Sequence, residues 1–212
     1  MALTEKQKQK KLGKKNKKRQ QTKKLSSQAA QLRNQASSYA ELPIHECLVP
    51  DALFDQGIGH VIISRRKADG NLVLCMFLAD IYCLGVKDAF FRTSSEYEYE
   101  HTIKAQIIEI FGPVKNVLPS CVRALIEGAV LYAHELGFSP HPDYKNAKGI
   151  FGNIDAASSP VSYTYGDNGK PFYIRGPSES PAQAKRIVAQ LERKCGTGNY
   201  EYIVMTGDDI VD

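Results

Sequence analysis

The sequence contains no run of about 18 apolar residues, which excludes a membrane-spanning helix. Its first residues are charged where a secretory leader needs an apolar stretch, so no signal peptide is expected. The five cysteines (Cys47, Cys75, Cys83, Cys121, Cys195) are odd in number and show no paired spacing. That excludes a disulfide framework and leaves a cytosolic protein with free thiols as the plain reading. Neither HExxH nor CxxC occurs, so no metal ligand set and no other cofactor is expected. No internal repeat is present.

What is there is 212 residues with 42% hydrophobic content, enough for one core of ordinary size. The net charge of +5 conceals an asymmetry. Residues 1–24 hold eleven of the 28 Lys and Arg residues against one Glu, a net of +10. The rest of the chain keeps 17 basic against 22 acidic residues, a net of −5. A basic arm is thus joined to a mildly acidic body. The arm is too polar to bury a core of its own, so a disordered or helical extension is expected. Residues 25–42, with Leu25, Ala29, Leu32, Ala36 and Tyr39 near helical spacing, read as a connecting helix. Residues 43–204 form a single domain in this reading, and 205–212 an acidic tail.

Within the domain, "VPDALFDQGIG" reads as a short helix with Pro50 near its first turn and Gly57 as its stop. Two β-rich runs flank "ADGN" over residues 60–83, a hairpin signal. The second run carries Cys75, Phe77, Ala79, Ile81 and Cys83 on one face and Leu74, Met76, Leu78, Asp80 and Tyr82 on the other. Both faces are apolar, so this strand is expected to be central and covered on both sides.

Ser95 and Glu98 have capping-box spacing for a helix bearing Ile103, Ile107, Ile110 and Phe111, ended by Gly112–Pro113. Pro119 opens the longest helix, whose Gly128 predicts close approach of another element. A short helix is expected near 143–151 with Asp143 as its cap. A second hairpin is expected around Asp167–Asn168–Gly169, and a last helix opens at Ser180–Pro181 and stops at Gly196. The expected fold is α+β: two β-hairpins forming a mainly antiparallel sheet, packed by three to four helices.

Chemistry has few places to sit. Asp80 lies in an apolar strand, so its carboxylate needs a partner or a raised pKa. Lys87 and Asp88, just past Gly85, stand where they could supply one, and Asp80, Lys87 and Asp88 are the candidate catalytic set. Gly85 occupies the place where an acidic-x-Lys nuclease motif requires an acid, and a structural role for Asp80 is the favoured expectation. Cys83 could act as a nucleophile beside His60, His101, His134 or His141. His141 and Asp143, on the Pro-stiffened "SPHPDY" loop, are an alternative acid/base or metal-binding pair. His45–Glu46–Cys47 is a further local cluster. The "RGPSESP" stretch could present a helix N-terminus and Arg175 to a phosphate, against the negative charge of Glu179.

The arm points to a polyanion. Lys10, Lys11, Lys14, Lys15, Lys17, Lys18, Arg19, Lys23 and Lys24 are spaced by Gln and Asn rather than by apolar residues. That favours nucleic acid over a membrane surface, which needs an apolar face. The arm has no aromatic residue, so base stacking is not its mode. RNA, including ribosomal RNA, is the first candidate and DNA the second. The competing expectations are a cytosolic hydrolase or nuclease at the residues above, and a protein-interaction module.

The ordered blocks "GIGHVIISRRKADG", "FLADIYCLGVKDAFF", "YAHELGFSPHPDY" and "DNGKPFYIRGP" resemble a family of bacterial proteins carrying the same blocks. The likeness covers residues 43–192 and excludes the arm. It implies one domain over that range and transfers no activity to any residue.

Overall fold

Nine consecutive residues, Leu72–Asp80, have a buried side chain at every position but one, a pattern that only an inner strand covered on both faces can satisfy. The computed structural model describes residues 38–204. The arm, most of the connecting helix expected over 25–42, and the acidic tail lie outside the described residues.

Five antiparallel strands make the main sheet: β1 (Ile44–Pro50), β2 (Ile58–Arg66), β3 (Leu72–Asp80), β4 (Gly85–Ser94) and β5 (Val114–Asn116). Their order is β4-β3-β2-β1-β5. The β2–β3 hairpin turns at the expected "ADGN", where Gly70 N–H donates to Lys67 O at 3.0 Å.

One face of β3 sets Cys75, Phe77 and Ala79 against Val122, Leu125, Ile126 and Ala129 of the longest helix (Pro119–Glu135). The other sets Leu72, Leu74 and Met76 against Tyr99, Ile103 and Ile107. Those three belong to a composite helix: α2 (Glu96–Glu98), a π turn (Tyr99–Ile103) and α3 (Lys104–Phe111). Ser95 caps it by accepting the Glu98 N–H. Glu98 does not reciprocate, because its carboxylate takes Arg92 and Ser94 instead. Ile110, expected on the same side of the helix as Ile103 and Ile107, is 69% exposed.

The remaining elements follow in chain order. The short α1 (Leu53–Gln56) ends at Gly57 as expected, but Pro50 closes β1 rather than opening this helix. The Pro119–Glu135 helix is α4, and α5 (Tyr144–Ala147) runs into a 3₁₀ turn at Lys148–Phe151. Asp143 stands at the cap position of α5 without a cap hydrogen bond. Helix α6 (Pro181–Cys195) opens on a complete capping box between Ser180 and Gln183 and ends at Gly196. Its Ala184 and Leu191 bury against Cys83, Leu136 and Tyr173.

The fold is α+β, with two corrections of detail. The strand expected to run through Cys83 stops at Asp80. Residues 81–84 form a tight link, and Gly85 opens β4 instead of ending β3. Gly85 has φ +70°, and a Cβ there would sit 2.9 Å from Ala133 Cβ, so the start of β4 lies directly on α4.

The second hairpin is the other correction. Its turn forms, with Asp167 N–H donating to Lys170 O at 2.8 Å. The residues beyond it, β6 (Phe172–Ile174), pair in parallel with β7 (Glu201–Ile203). The preceding run packs by its aromatic rings instead of pairing: Tyr163 stacks on Phe54, and the Tyr165 hydroxyl donates to Leu125 O at 3.0 Å. No helix among the described residues is long and apolar enough to cross a membrane.

Candidate functional site

Asp80 ends β3 with 6% of its surface exposed. The four-residue link to β4 folds back over its carboxylate, and Cys83 N–H donates to Oδ1 at 2.9 Å. Burial pushes the carboxyl up to about 6. The positive charge of Lys87 and the backbone N–H groups of Leu84, Cys83 and Tyr82 oppose that rise without cancelling it. Asp80 is therefore the cap of the β3–β4 turn.

Lys87 is the extra residue of a β-bulge. Leu78 pairs with Asp88 and Ala79 with Val86, which leaves Lys87 without a partner position on β3. A bulge re-aims the side chains around it. Lys87 turns toward the segment before α6, where its Nζ lies 2.6 Å from Glu179 Oε1. The Tyr173 hydroxyl donates to Glu179 Oε2 at 2.6 Å, and Gly176 N–H donates to the same oxygen at 3.1 Å. Burial alone would raise the Glu179 carboxyl. The bonds from Lys87 and Tyr173 outweigh it and hold the group below its ordinary value. The start of α6 expected to meet a phosphate is closed by its own capping box, Ser180 Oγ accepting the Gln183 N–H at 3.2 Å, and Glu179 beside it adds a carboxylate.

Asp80 and Lys87 do line one cavity of about 200 Å³, walled by Tyr82, Phe172, Ile174 and Arg175 among others. No histidine lines it among the described residues. The thiol of Cys83 is fully buried, and burial, reinforced by the nearby Asp80, drives it far above its ordinary value. A nucleophilic thiolate does not fit that environment.

Asp88 parts from the other two. It joins the alternative pair: His141 Nδ1 lies 3.7 Å from Asp88 Oδ1 and 3.6 Å from Asp143 Oδ2. The loop is anchored to the edge of the sheet by His141 N–H donating to Val86 O at 2.8 Å. The sequence's two candidate groups are therefore redistributed, with Asp80 and Lys87 in the cavity and Asp88 beside His141 and Asp143. The His45–Glu46 cluster is joined by Glu100, and Lys104 sits among them, 3.1 Å from Glu46 Oε1 and 3.2 Å from Glu100 Oε2.

Two features were not visible from the chain alone. Glu179 as the partner of Lys87 bridges 92 positions of sequence with no local signal. The bulge that separates Lys87 from Asp88 shows only in the strand pairing. Against known proteins, the chain matches no family model, no curated protein and no solved structure.

Proposed function

We propose that this is a nucleic-acid-associated protein that docks through its basic N-terminal arm, with RNA as the first candidate. One observation carries the reading: a +10 arm of 24 residues is joined to a body of net −5. The folded part supports the contrast. Eight of its lysines and arginines are committed to its own acids: Arg66, Lys67, Lys87, Arg92, Lys104, Lys115, Arg123 and Lys170. The arm has one acidic residue against eleven cations, so its charge is available to phosphates.

The enzyme reading has less support. Asp80 accepts the Cys83 N–H and Lys87 is paired to Glu179, so both candidate groups of their shared cavity are already engaged by the protein itself.

The test is a salt series of binding to single-stranded RNA and to duplex DNA of equal length. The full chain is compared with a variant carrying Gln at Lys14, Lys15, Lys17 and Lys18. Each lost phosphate contact removes about 0.7 from the log–log salt slope on a single strand, so the RNA slope should fall by up to about 3. An unchanged slope, or no binding at low salt, overturns the reading. Tighter binding to the duplex would overturn the preference for RNA.

A further inference from the structure

Two of the three groups that could donate to a cation lie on a stiff loop, and the third comes from the edge strand. Asp88 on β4 reaches the His141–Asp143 pair only because the bulge at Lys87 shifts the strand by one residue. The donor atoms of Asp88, His141 and Asp143 all lie within 4.8 Å of one another. Donors bound at about 2.1 Å around one small cation sit about 3–4 Å apart, so little closure is needed. The side chains are 39–54% exposed, which leaves further coordination positions to water.

The charges point the same way. Two carboxylates face one imidazole nitrogen, and no lysine or arginine among the described residues forms an ion pair with either. The Asp143 N–H reaches Nδ1 only at 3.4 Å, a long contact to a lone pair that a cation would use fully. The other three-donor cluster, His45, Glu46 and Glu100, makes the contrast. There the cation is built in, as the ammonium of Lys104.

We infer that Asp88, His141 and Asp143 bind one divalent transition cation. One imidazole nitrogen with two carboxylate oxygens suits manganese or zinc better than magnesium or calcium, which favour all-oxygen shells. The site is independent of the nucleic-acid reading, since it uses no residue of the arm.

The experiment titrates Mn²⁺ alone into the full chain and follows the electron paramagnetic resonance signal of the free ion. One ion should bind per chain. Asp88→Asn and His141→Gln should each weaken binding at least tenfold, while His45→Gln, in the other cluster, should leave it unchanged. Co²⁺ should give weak visible bands without the thiolate charge-transfer absorption that binding to a cysteine would produce. Thermal melts confirm that these surface variants fold. The proposal is overturned by absence of Mn²⁺ binding, by unchanged affinity in D88N or H141Q, by an equal loss in H45Q, or by a thiolate signature. Mg²⁺ binding as tightly as Mn²⁺ also overturns it, because the imidazole would then not be a ligand.

Discussion

Lys87 is held by Glu179, with 2.6 Å between Nζ and Oε1, although Asp80 is the acid nearer to it in sequence. The pair joins the bulged start of β4 to the segment that leads into α6, and each side chain keeps only 15–16% of its surface exposed. Removing one partner leaves the other charged and largely dry, whereas removing both does not. Lys87→Met should therefore cost about 2–3 kcal/mol in urea unfolding. The double variant K87M/E179Q should recover part of that loss. A cost for K87M below about 0.5 kcal/mol would place the pair among inert surface contacts.

Asp80 gives a pH-dependent signature of definite sign. Its carboxyl stands at about 6 in the fold against an ordinary 3.8, so the native state holds the proton more tightly than the unfolded chain. The contribution to stability is then greatest below the ordinary value. It falls as pH rises through the window between the two and is constant above it. Asp80→Asn keeps an oxygen for the Cys83 N–H and removes the titration. The variant should be more stable than the parent at pH 7–8, by up to about 3 kcal/mol, and the difference should vanish below about pH 3. Chemical denaturation across pH decides it. A gap that favours the parent at neutral pH would mean that Lys87 and the backbone N–H groups prevail over burial.

Cys83 should be inert in the folded chain. It is fully buried and its thiol is driven up by burial, whereas Cys195 is partly exposed. Iodoacetamide should label Cys195 at least tenfold faster than Cys83, read by peptide mass. Comparable rates would show that the β3–β4 link opens readily.

What was legible in the sequence was whatever local spacing encodes. The apolar pattern on both faces of residues 74–83 marked this strand as central, and Ser180–Pro181 marked the start of α6. What was not legible depended on pairing across distance. Residues 81–84 are as apolar as β3 itself, so the composition continues through a turn that only the Asp80 cap and Gly85 mark. The turn at Asp167–Lys170 has hairpin chemistry, yet β6 finds β7 beyond a whole helix. The same holds for the candidate site. Asp80, Lys87 and Asp88 are neighbours along the chain, but a one-residue bulge sends Lys87 to Glu179 and leaves Asp88 with His141.

Gly128 is the case where a local cost correctly signalled a distant contact. A glycine in mid-helix gives up about 1 kcal/mol of propensity relative to alanine. The Tyr165 ring takes the space: a Cβ at position 128 would lie 2.1 Å from its hydroxyl oxygen and 2.7 Å from Cζ. That hydroxyl donates to Leu125 O at 3.0 Å, and the ring stacks on Tyr132 with centroids 5.8 Å apart. Gly128→Ala should therefore destabilise the parent by about 1–3 kcal/mol, because the overpacking exceeds the helical gain. In a Tyr165→Ala background the clash is gone and only propensity remains, so the same substitution should stabilise by about 1 kcal/mol. Thermal melts of the four proteins test the reversal of sign. Destabilisation in both backgrounds would mean that position 128 must stay small for a reason other than Tyr165.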